Sequence, residues 1–393
     1  MKILFLDHSG VLGGAELFLL DIARQYQDSC LVGLMAEGSF KTRLEQEHIP
    51  VRVLGQQAIA VNRDSSIWQS FMSLRQVVPL IAEVATLSRE YDVICTNTAK
   101  ALVVGAIASL FSRRPLVHFL HDILTVEHFS QINVRLVPGL TNRFAARVIA
   151  NSKATQTAFV AAGGNAKLTE VIYNGFVPER FETSSANELQ LRQELGLEGR
   201  FVVGNFSRLS PWKGQHVLLE ALAYCPDNVT ALFVGDALFG EDEYVDRLHR
   251  QVSELGLQDR VKFLGFRADV SDLMRACDLI AHTSISPEPF GRVIVEGMLC
   301  GRPVVAAAAG GAVEIIEHDR TGWLSSPGDA QELSEVINQC RSHPDRAATI
   351  AQRGQHFASQ TFHIDITGQR VAQLLEGVVT DQALTPIQTG PVL

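Results

Sequence analysis

The sequence consists largely of short apolar runs that end in turn residues, with segments of helical periodicity between several of them. An apolar run without polar alternation is typical of a parallel strand that is buried on both faces. In the first half these runs are KILFLDHSG, CLVGLMAEG, VRVLG, DVICTN, PLVHFLHD, RVIANS and EVIYNG. Strands that alternate with helices predict a parallel sheet with helices on both of its faces.

The same pattern begins again near residue 200, with FVVGNFSRL, ALFVGD, VKFLG, DLIAHTS and RPVVAAAAGG. The stretch between the two sets, FETSSANELQLRQELGLEGR, is polar and shows no strand pattern, so we interpret it as a connector. A chain of 393 residues is also long enough for two domains. The predicted fold class is therefore α/β, with two doubly wound parallel sheets. Because such sheets bind ligands beyond the carboxyl ends of their strands, we expect the two domains to face a shared cleft.

The predicted domains are residues 1–195 and residues 196–355. A helix over 356–380 is expected to pack back on the N-terminal domain, and residues 381–393 are expected to form a loose tail.

Composition argues against a nucleic-acid-binding protein and against a membrane-spanning one. The chain is 46% hydrophobic and 20% charged, as in ordinary globular proteins, and its net charge of −9 argues against nucleic-acid binding. The longest apolar run, at 101–111, is shorter than the roughly 20 residues that span a bilayer. The six cysteines form no CxxC pair and no signal peptide is visible, so we expect reduced, buried thiols and a cytoplasmic location.

The stretch SPEPFGRVIVEGMLCGRPVVAAAAGG, from Ser286, places Glu288 and Glu296 in an apolar run, where an unpaired carboxylate costs free energy. Pro289 is predicted to lie in the first turn of a helix that ends at Gly301. The N–H groups of that turn would bind an anion such as a diphosphate, and Gly291 would let the ligand approach the backbone. The two carboxylates would accept hydrogen bonds from hydroxyl groups. The alternatives are a solvated Glu288 and a Glu296 that pairs with an arginine.

Further candidates follow predicted strands. Arg208 lies near the end of FVVGNFSRL, and Lys213 follows it by five residues. A guanidinium fork with an ammonium group suits a diphosphate, although both could be ordinary solvated residues. Asn97, Thr98 and Lys100 lie where DVICTN passes into a helix. A helix N-terminus with a lysine favours phosphate binding, but a solvated lysine at a helix start would give the same pattern.

Gly13 and Gly14 predict a tight loop after the first strand. The segment SGVLGGAE lacks the GxGxxG spacing, which disfavours nicotinamide and flavin enzymes. Glu16 begins the next helix, either as an acidic first-turn residue or as part of a site.

Several ordered motifs resemble those of the retaining glycosyltransferases of family four, and the resemblance covers most of the chain. They are HSGVLGGAE, FLHD, ANSKATQTAF, VIYNGFVPERF, GNFSRLSPWKGQHVLLEA, FVGD, VKFLGF and EPFG followed by Glu296. The resemblance implies the GT-B fold, with two Rossmann-like domains that bind the acceptor on the N-terminal side and a sugar nucleotide on the C-terminal side.

The resemblance also implies roles for individual residues. The catalytic set would be His121, Arg208, Lys213 and Glu288. Donor-binding residues would be Gly14, Arg208, Lys213, Phe266, Glu288, Phe290, Gly291, Arg292, Val293, Ile294 and Glu296. Together with the phosphate candidates above, the acceptor side would comprise Gly13, Gly14, Glu16, Asn97, Thr98, Lys100 and His121. Within these sets Glu288 would bind the transferred sugar and Glu296 the ribose.

Neither a metal nor a cofactor is expected. His118, His121, Asp122 and His128 are close in sequence, but residues three apart on a strand face opposite sides, and GT-B enzymes generally work without a metal.

The leaving diphosphate would itself accept the proton of the acceptor, in a front-side transfer with retention. The cationic residues and the helix N-terminus would stabilise the charge that develops.

The predicted reaction moves a hexosyl group, expected to be glucosyl from UDP-glucose, to a sugar phosphate such as fructose 6-phosphate, as in the sucrose-phosphate synthases of the family. The loop GGAE departs from their GGQ pattern and is commoner in enzymes of polysaccharide or glycolipid synthesis, which are the alternative. An apolar stripe over 67–87 with Trp68, Phe71 and Met72, or the set Arg135, Arg143 and Arg147, would then contact a membrane, although a core role is favoured. A sugar-nucleotide epimerase is the more remote alternative.

Overall fold

Two parallel sheets organise the chain, and each belongs to its own structural unit. The computed structural model describes residues 1–55, 74–126, 129–181, 185–238 and 240–384. Contacts divide the chain into one unit made of residues 1–175 with 364–393, and a second made of residues 176–363.

The first sheet has seven strands in the order β3-β2-β1-β4-β5-β6-β7, and every pair of neighbours is parallel. The strands are β1 (Ile3–Asp7), β2 (Cys30–Leu34), β3 (Val51–Val53), β4 (Val93–Thr96), β5 (Leu116–Leu120), β6 (Ala145–Ala150) and β7 (Thr169–Val171). The order reverses between β1 and β4, so a topological switch point lies at the carboxyl ends of these two strands.

Helices cover both faces of this sheet, as its buried strands require. They are α1 (Gly14–Ala23), α2 (Ser39–Gln46), α3 (Leu74–Leu87), α4 (Ala99–Ser112), α5 (Gln131–Phe144) and α6 (Lys153–Ala161). Along β1, Ile3 and Phe5 enter one core with α1, whereas Leu4 and Leu6 enter a second core with α3 and α4. The alternation of side chains along the strand thus feeds two apolar layers.

The second sheet has six strands in the order β10-β9-β8-β11-β12-β13, again all parallel. They are β8 (Phe201–Phe206), β9 (Val229–Val234), β10 (Val261–Phe263), β11 (Leu279–His282), β12 (Val304–Ala307) and β13 (Trp323–Ser325). Its switch point lies between β8 and β11.

The helices of the second unit are α7 (Ser185–Glu194), α8 (Gln215–Ala223), α9 (Asp242–Glu254), α10 (Val270–Arg275), α11 (Arg292–Leu299), α12 (Ala312–Ile315), α13 (Ala330–Ser342) and α14 (Pro344–Thr361). One core of this unit joins Val203, Phe233 and Leu279 of the sheet to Leu218 of α8 and Ile337 of α13.

The predicted fold class is confirmed, and every apolar run interpreted as a strand forms one. The sequence analysis missed β13. This strand pairs with β12 at the edge of the sheet, and only two adjacent apolar residues, Trp323 and Leu324, stand between Gly322 and Ser325, so no apolar run marks it. Its Trp323 is nevertheless buried in the core.

The division between the units falls after Gly175, about 20 residues before the predicted boundary at 195/196. The polar connector contains α7, which packs within the second unit. Its Arg192 donates to the carboxylate of Asp278 at 3.2 Å and to the carbonyl of Arg200 at 2.7 Å. Polar composition therefore did not mark a linker here, because the polar side chains of α7 bond to the second unit.

The last helix, α15 (Ile364–Leu384), begins later than predicted, since residues 356–361 belong to α14. Val371 and Leu375 of α15 are fully buried in the core of the first unit, beside α1. Residues 381–384 continue the helix, so the loose tail was misplaced there. Residues 385–393 lie outside the described ranges.

Within the described ranges, none of the helices combines the length and apolar character that a bilayer crossing needs. The first part of the apolar stripe, with Trp68, Phe71 and Met72, lies outside those ranges. Its second part is α3, whose Leu80 and Val84 are buried in the core, as the core interpretation predicts. All six cysteines are buried free thiols.

Candidate active site

A buried asparagine joins the carboxyl ends of three strands at the first switch point. Asn97, just after β4, donates from Nδ2 to Asp7 Oδ2 at 2.6 Å and to the carbonyl of Ala15 at 3.2 Å. Its Oδ1 lies 2.8 Å from Nε2 of His121, the residue that follows β5. Asp7 and Asn97 are almost completely buried. The topology thus brings two predicted residues, Asn97 and His121, into direct contact.

Two buried carboxyl groups share this end of the sheet. Burial, opposed in part by hydrogen bonds from Ser9 and Asn97, raises the pKa of Asp7 to about 6. Burial and the neighbouring Asp7 raise the pKa of Glu16 to about 8. At neutral pH the two carboxyl groups together therefore bind about one proton.

Gly13 caps α1 and Gly14 is its first residue, so both lie where the sequence predicts. A Cβ atom on Gly13 would approach the Glu16 carboxylate to 2.8 Å. The glycine thus leaves space for the buried acid of the first turn.

The remaining acceptor candidates, Thr98 and Lys100, lie at the start of α4. Thr98 caps α4 by accepting from the Ala101 amide, and its Oγ1 also lies 2.9 Å from Nδ1 of His8. Burial lowers the pKa of Lys100, in the first turn of α4. Burial, aided by the Lys100 charge, lowers the pKa of His8 to about 4. Neutral His8 therefore stands beside the lysine at neutral pH.

In the second unit, the Lys213 ammonium meets a buried carboxylate. Its Nζ lies 2.6 Å from Oε1 of Glu288. His282 Nε2 lies 2.8 Å from the same oxygen, and Ser284 Oγ donates to it as well. The alternative of a solvated Glu288 is wrong, because this residue is only 7% exposed.

This cluster keeps Glu288 ionised. Burial opposes the charged form, but Lys213 and His282 outweigh it and hold the pKa of the carboxyl group well below its usual range. Charge partners therefore compensate for desolvation here, whereas in the Asp7–Glu16 pair they do not.

Backbone contacts fix the position of Lys213. Gly214 has φ of +69°, and a Cβ atom there would approach the Thr283 carbonyl oxygen to 2.0 Å. Thr283 Oγ1 donates to the Lys213 carbonyl at 2.9 Å, and the Ile285 amide donates to the Trp212 carbonyl at 2.9 Å. The loop after β8 is thereby attached to the end of β11, across the switch point.

The other predicted cation, Arg208, lies near an acid. Its Nε is 3.3 Å from Oε2 of Glu241, and Glu241 Oε1 accepts from Ser210 at 2.6 Å. The ring of Trp212 lies 6.0 Å from the Arg208 guanidinium and 4.2 Å from Lys213 Nζ. Both cations thus share one aromatic neighbour.

The helix after EPFG begins at Arg292, so the placement of Pro289 in its first turn is wrong. Gly291 adopts φ of +95°, which is not a helical conformation, so the helix begins only after it. Glu288 pairs with Gly310 in an extended bridge. Glu296 consequently lies about one turn into α11, not two. The predicted end at Gly301 lies two residues beyond the last helical residue, Leu299.

The residues of this segment differ in what they can offer a ligand. Glu296 lies 3.4 Å from Nε of Arg292, in line with the arginine-paired alternative. The Ile294 amide donates to the Gly291 carbonyl at 3.0 Å, so this predicted phosphate contact is already used. Phe290 is buried and stacks on Phe176, over which Arg292 also lies. Val293 is partly buried in the first turn of α11.

Phe266 is 81% exposed, in the loop that follows β10. A large exposed ring at the carboxyl end of a strand is available for stacking on a ligand.

Among the described residues, no group of three or more His, Cys, Asp or Glu side chains is arranged to hold a metal ion. His128 lies outside those residues.

Two family descriptions match this chain in sequence. Residues 12–180 match Glycosyltransferase Family 4, and residues 187–357 match Glycosyl transferases group 1. Anabaena HepE, solved in complex with UDP-glucose, is 58% identical, with a TM-score of 0.89 over 96% of this chain and 100% of that chain. The chain belongs to the family-four glycosyltransferases.

The glycosyltransferase has further relatives. A second HepE structure, in complex with UDP and glucose, has a TM-score of 0.90 at 58% identity, over 96% of this chain and 100% of that chain. Sucrose-phosphate synthase from Thermosynechococcus elongatus is 21% identical, with a TM-score of 0.83 over 97% of this chain and 99% of that chain, which supports the GT-B fold alone.

Among curated proteins, a GDP-mannose-dependent alpha-(1-6)-phosphatidylinositol monomannoside mannosyltransferase from Mycolicibacterium smegmatis is 28% identical over 318 residues. The match covers 76% of this chain and 82% of the relative.

Sequence reasoning on this glycosyltransferase missed four polar residues that contact the predicted ones: Asp7, His8, His282 and Ser284. Each lies at, or within two residues of, the carboxyl end of β1 or β11. The strand-end rule could have found them, because ligand-binding side chains of doubly wound sheets come from these positions.

The raised pKa of Glu16 predicts a pH-dependent stability. The folded state keeps a proton that the unfolded chain loses above about pH 4.3, so stability falls as pH rises toward 8. Glu16→Gln cannot ionise and should therefore raise the thermal midpoint at pH 8.5 by about 2–4 °C or more. At pH 5, only just above the pKa of the unfolded chain, the difference between the variant and the wild type should be much smaller. Scanning calorimetry measures the difference, with exposed Glu376→Gln as the control; an equal shift at both pH values would contradict the raised pKa.

The buried pair of Lys213 and Glu288 predicts a second stability effect. Lys213→Ala leaves a desolvated carboxylate without its cation, a change that costs about 3–5 kcal/mol and should lower the thermal midpoint by about 10 °C. Adding Glu288→Gln should recover at least half of this loss, because a neutral amide is cheaper to bury. Lys41→Ala, which removes an exposed i,i+4 pair with Glu37, is the control and should have little effect. Equal midpoints for the single and double variants would contradict the coupling.

Proposed function

We propose that this glycosyltransferase moves a glucosyl group from UDP-glucose to a hydroxyl group of a carbohydrate acceptor, with retention of configuration at C1. The observation that carries the proposal is the 58% identity, over 96% of this chain, with a protein solved in complex with UDP-glucose. The roles of individual residues below belong to the same proposal.

The donor is proposed to bind to the second unit through Lys213, Arg208 and Glu288. An ammonium group has three N–H donors, so Lys213 can keep its bond to Glu288 while it donates to a phosphate oxygen. Arg208 would add a second cation from the end of β8. The three protein donors on Glu288 all meet Oε1, and Oε2 would accept hydrogen bonds from hydroxyls of the glucosyl group.

The remainder of the nucleotide would bind nearby in the same unit. The N-terminus of α11, from Gly291 through Val293, would add its dipole and backbone N–H groups to the phosphate site. Glu296, held beside Arg292, would accept from the ribose hydroxyls. The exposed ring of Phe266 would stack on the uracil.

In the proposed reaction, the bond between C1 of glucose and the diphosphate oxygen breaks as the acceptor oxygen bonds to C1 on the same face. The acceptor proton passes to the departing diphosphate, so no protein nucleophile is consumed. Lys213 and Arg208 would stabilise the negative charge that develops on the leaving group. These two cations would supply the charge stabilisation that a metal gives in other transferases, so we propose that the reaction needs no added metal.

The acceptor is proposed to bind to the first unit, beside His121 and Glu16, with Lys100 as its phosphate contact. A sugar phosphate such as fructose 6-phosphate suits Lys100, because burial already disfavours the charge that a phosphate would stabilise. A phosphate-free saccharide of polysaccharide or glycolipid synthesis is the second candidate. It is favoured by Asn97 and Thr98, whose polar groups bond within the protein.

A donor and acceptor panel tests this proposal. UDP-glucose, GDP-mannose and ADP-glucose are each combined with fructose 6-phosphate, fructose and a glucose oligosaccharide, and nucleotide release is measured with and without EDTA. UDP-glucose should be the preferred donor, EDTA should leave the rate unchanged, and NMR of the product should show the α-anomer. Conversion of UDP-glucose without an acceptor would instead indicate an epimerase, and a β-linked product would contradict retention.

The proposed division between sugar and nucleotide contacts predicts a selective effect of Glu288→Gln. The substitution removes a charged acceptor from the sugar, so kcat/KM for UDP-glucose should fall by about 10- to 100-fold. The Kd of UDP, which has no glucose, should stay within about twofold of wild type by calorimetry. Exposed Glu335→Gln is the matched control. A parallel loss of UDP affinity would show that Glu288 does not act on the sugar.

A further inference from the structure

A chain of hydrogen bonds runs from Asp7 through Asn97 to His121 within the first unit. Its two distances are 2.6 Å, from Asn97 Nδ2 to Asp7 Oδ2, and 2.8 Å, from Asn97 Oδ1 to His121 Nε2. Asp7 is 0% exposed and Asn97 is 2% exposed, so water cannot replace these bonds. The arrangement therefore determines which groups donate and which accept.

The amide of Asn97 can take only one orientation. Both hydrogens of its Nδ2 have acceptors, the Asp7 carboxylate and the Ala15 carbonyl. A flipped amide would put its oxygen against two acceptor oxygens in a buried place, with two lost hydrogen bonds. Oδ1 must therefore face His121.

Asp7 is itself held as an acceptor. Its Oδ1 accepts from the Ser9 amide at 2.8 Å, which turns Oδ2 toward Asn97. With the Asn97 amide on Oδ2, both oxygens of Asp7 accept hydrogen bonds, as those of an ionised carboxylate do.

We infer that Asp7 and Asn97 are positioning residues that hold His121 in its Nε2-protonated tautomer, with Nδ1 as the acceptor nitrogen of the ring. An amide oxygen only accepts, so the His121 nitrogen that faces it must carry the hydrogen. Phe18 supports the same ring by an edge contact with centroids 5.0 Å apart.

A nearby histidine provides an internal reference. Nδ1 of buried His118 lies 3.1 Å from the Thr96 carbonyl oxygen, which only accepts, and 3.0 Å from Thr96 Oγ1, a hydroxyl oxygen that can accept the same hydrogen. His118 should therefore be protonated on Nδ1, the opposite of His121. The two residues, three apart in the chain, should give distinguishable nitrogen signals in one spectrum.

The catalytic consequence rests on the proposed function. With Nδ1 unprotonated, neutral His121 would accept a hydrogen bond from a substrate hydroxyl and could not donate one through that atom. The tautomer itself does not depend on which substrate binds.

Long-range ¹H–¹⁵N correlation spectra of the ¹⁵N-histidine-labelled full chain at pH 7.5 test the inference, with His121→Gln used for assignment. Wild-type His121 should show a protonated Nε2 and an unprotonated Nδ1, with the reverse for His118. A wild-type His121 that is protonated on Nδ1, or an even mixture, would overturn the inference without any variant.

Asp7→Asn tests the cause. The Ser9 amide still requires an acceptor, so the new amide should turn its NH₂ group toward Asn97 and favour the flipped Asn97, moving the His121 proton to Nδ1. Asp92→Asn, whose carboxylate accepts a hydrogen bond from the Lys2 amide at 2.7 Å, is the matched control and should leave His121 unchanged. In both variants the His118 signals report whether the sheet is intact; an intact sheet with unchanged His121 would overturn the role of Asp7.

Kinetics separate this inference from the proposed function. Asp7→Asn should lower kcat with UDP-glucose by about tenfold, the worth of one transition-state hydrogen bond, while the Kd of UDP stays unchanged. A changed tautomer with normal kcat would contradict the substrate contact of His121 and leave the tautomer assignment standing. A failed donor assay with the expected wild-type tautomer would contradict only the proposed function.

Discussion

The burial of parallel strands on both faces is the constraint on which the rest of this structure depends. Apolar side chains fill both layers of each sheet, so polar groups collect where the strands end. In each unit a buried asparagine spans the switch point. Asn97, just after β4, bonds to Asp7, and Asn205 of β8 bonds to Ala281 of β11 and to Thr283, which follows that strand. The candidate site residues of each unit are arranged around such a bridge.

The buried acids of the two units meet the cost of desolvation in different ways. Glu288 keeps its charge because Lys213, His282 and Ser284 converge on one of its oxygens. Asp7 and Glu16 have no comparable cation among their described contacts, and burial raises the pKa of both. A charged carboxylate beside the proposed diphosphate site and a protonated one beside the proposed acceptor site therefore follow from local partners, not from residue type.

Sequence reasoning succeeded where a pattern is repeated and failed where a single contact decides. Each long apolar run became a strand, but the start of α11 was misplaced, because Pro289 also suits a non-helical segment. The backbone at Glu288 pairs with Gly310, and Gly291 takes a positive φ, so the helix begins only at Arg292. The polar segment at 185–194 was likewise interpreted as a connector, although Arg192 bonds it to the second unit.

By itself, the sequence determined the two parallel sheets, their strands and the candidate residues that follow them, because burial pattern and turn residues act locally along the chain. The tertiary structure alone decided which of those residues meet. Lys213 and Glu288 are 75 residues apart and Asp7 and Asn97 are 90 apart, yet each pair is within hydrogen-bond distance. Their protonation states and their orientation depend on burial and on partners from other strands, and neither can be read from neighbours in the chain.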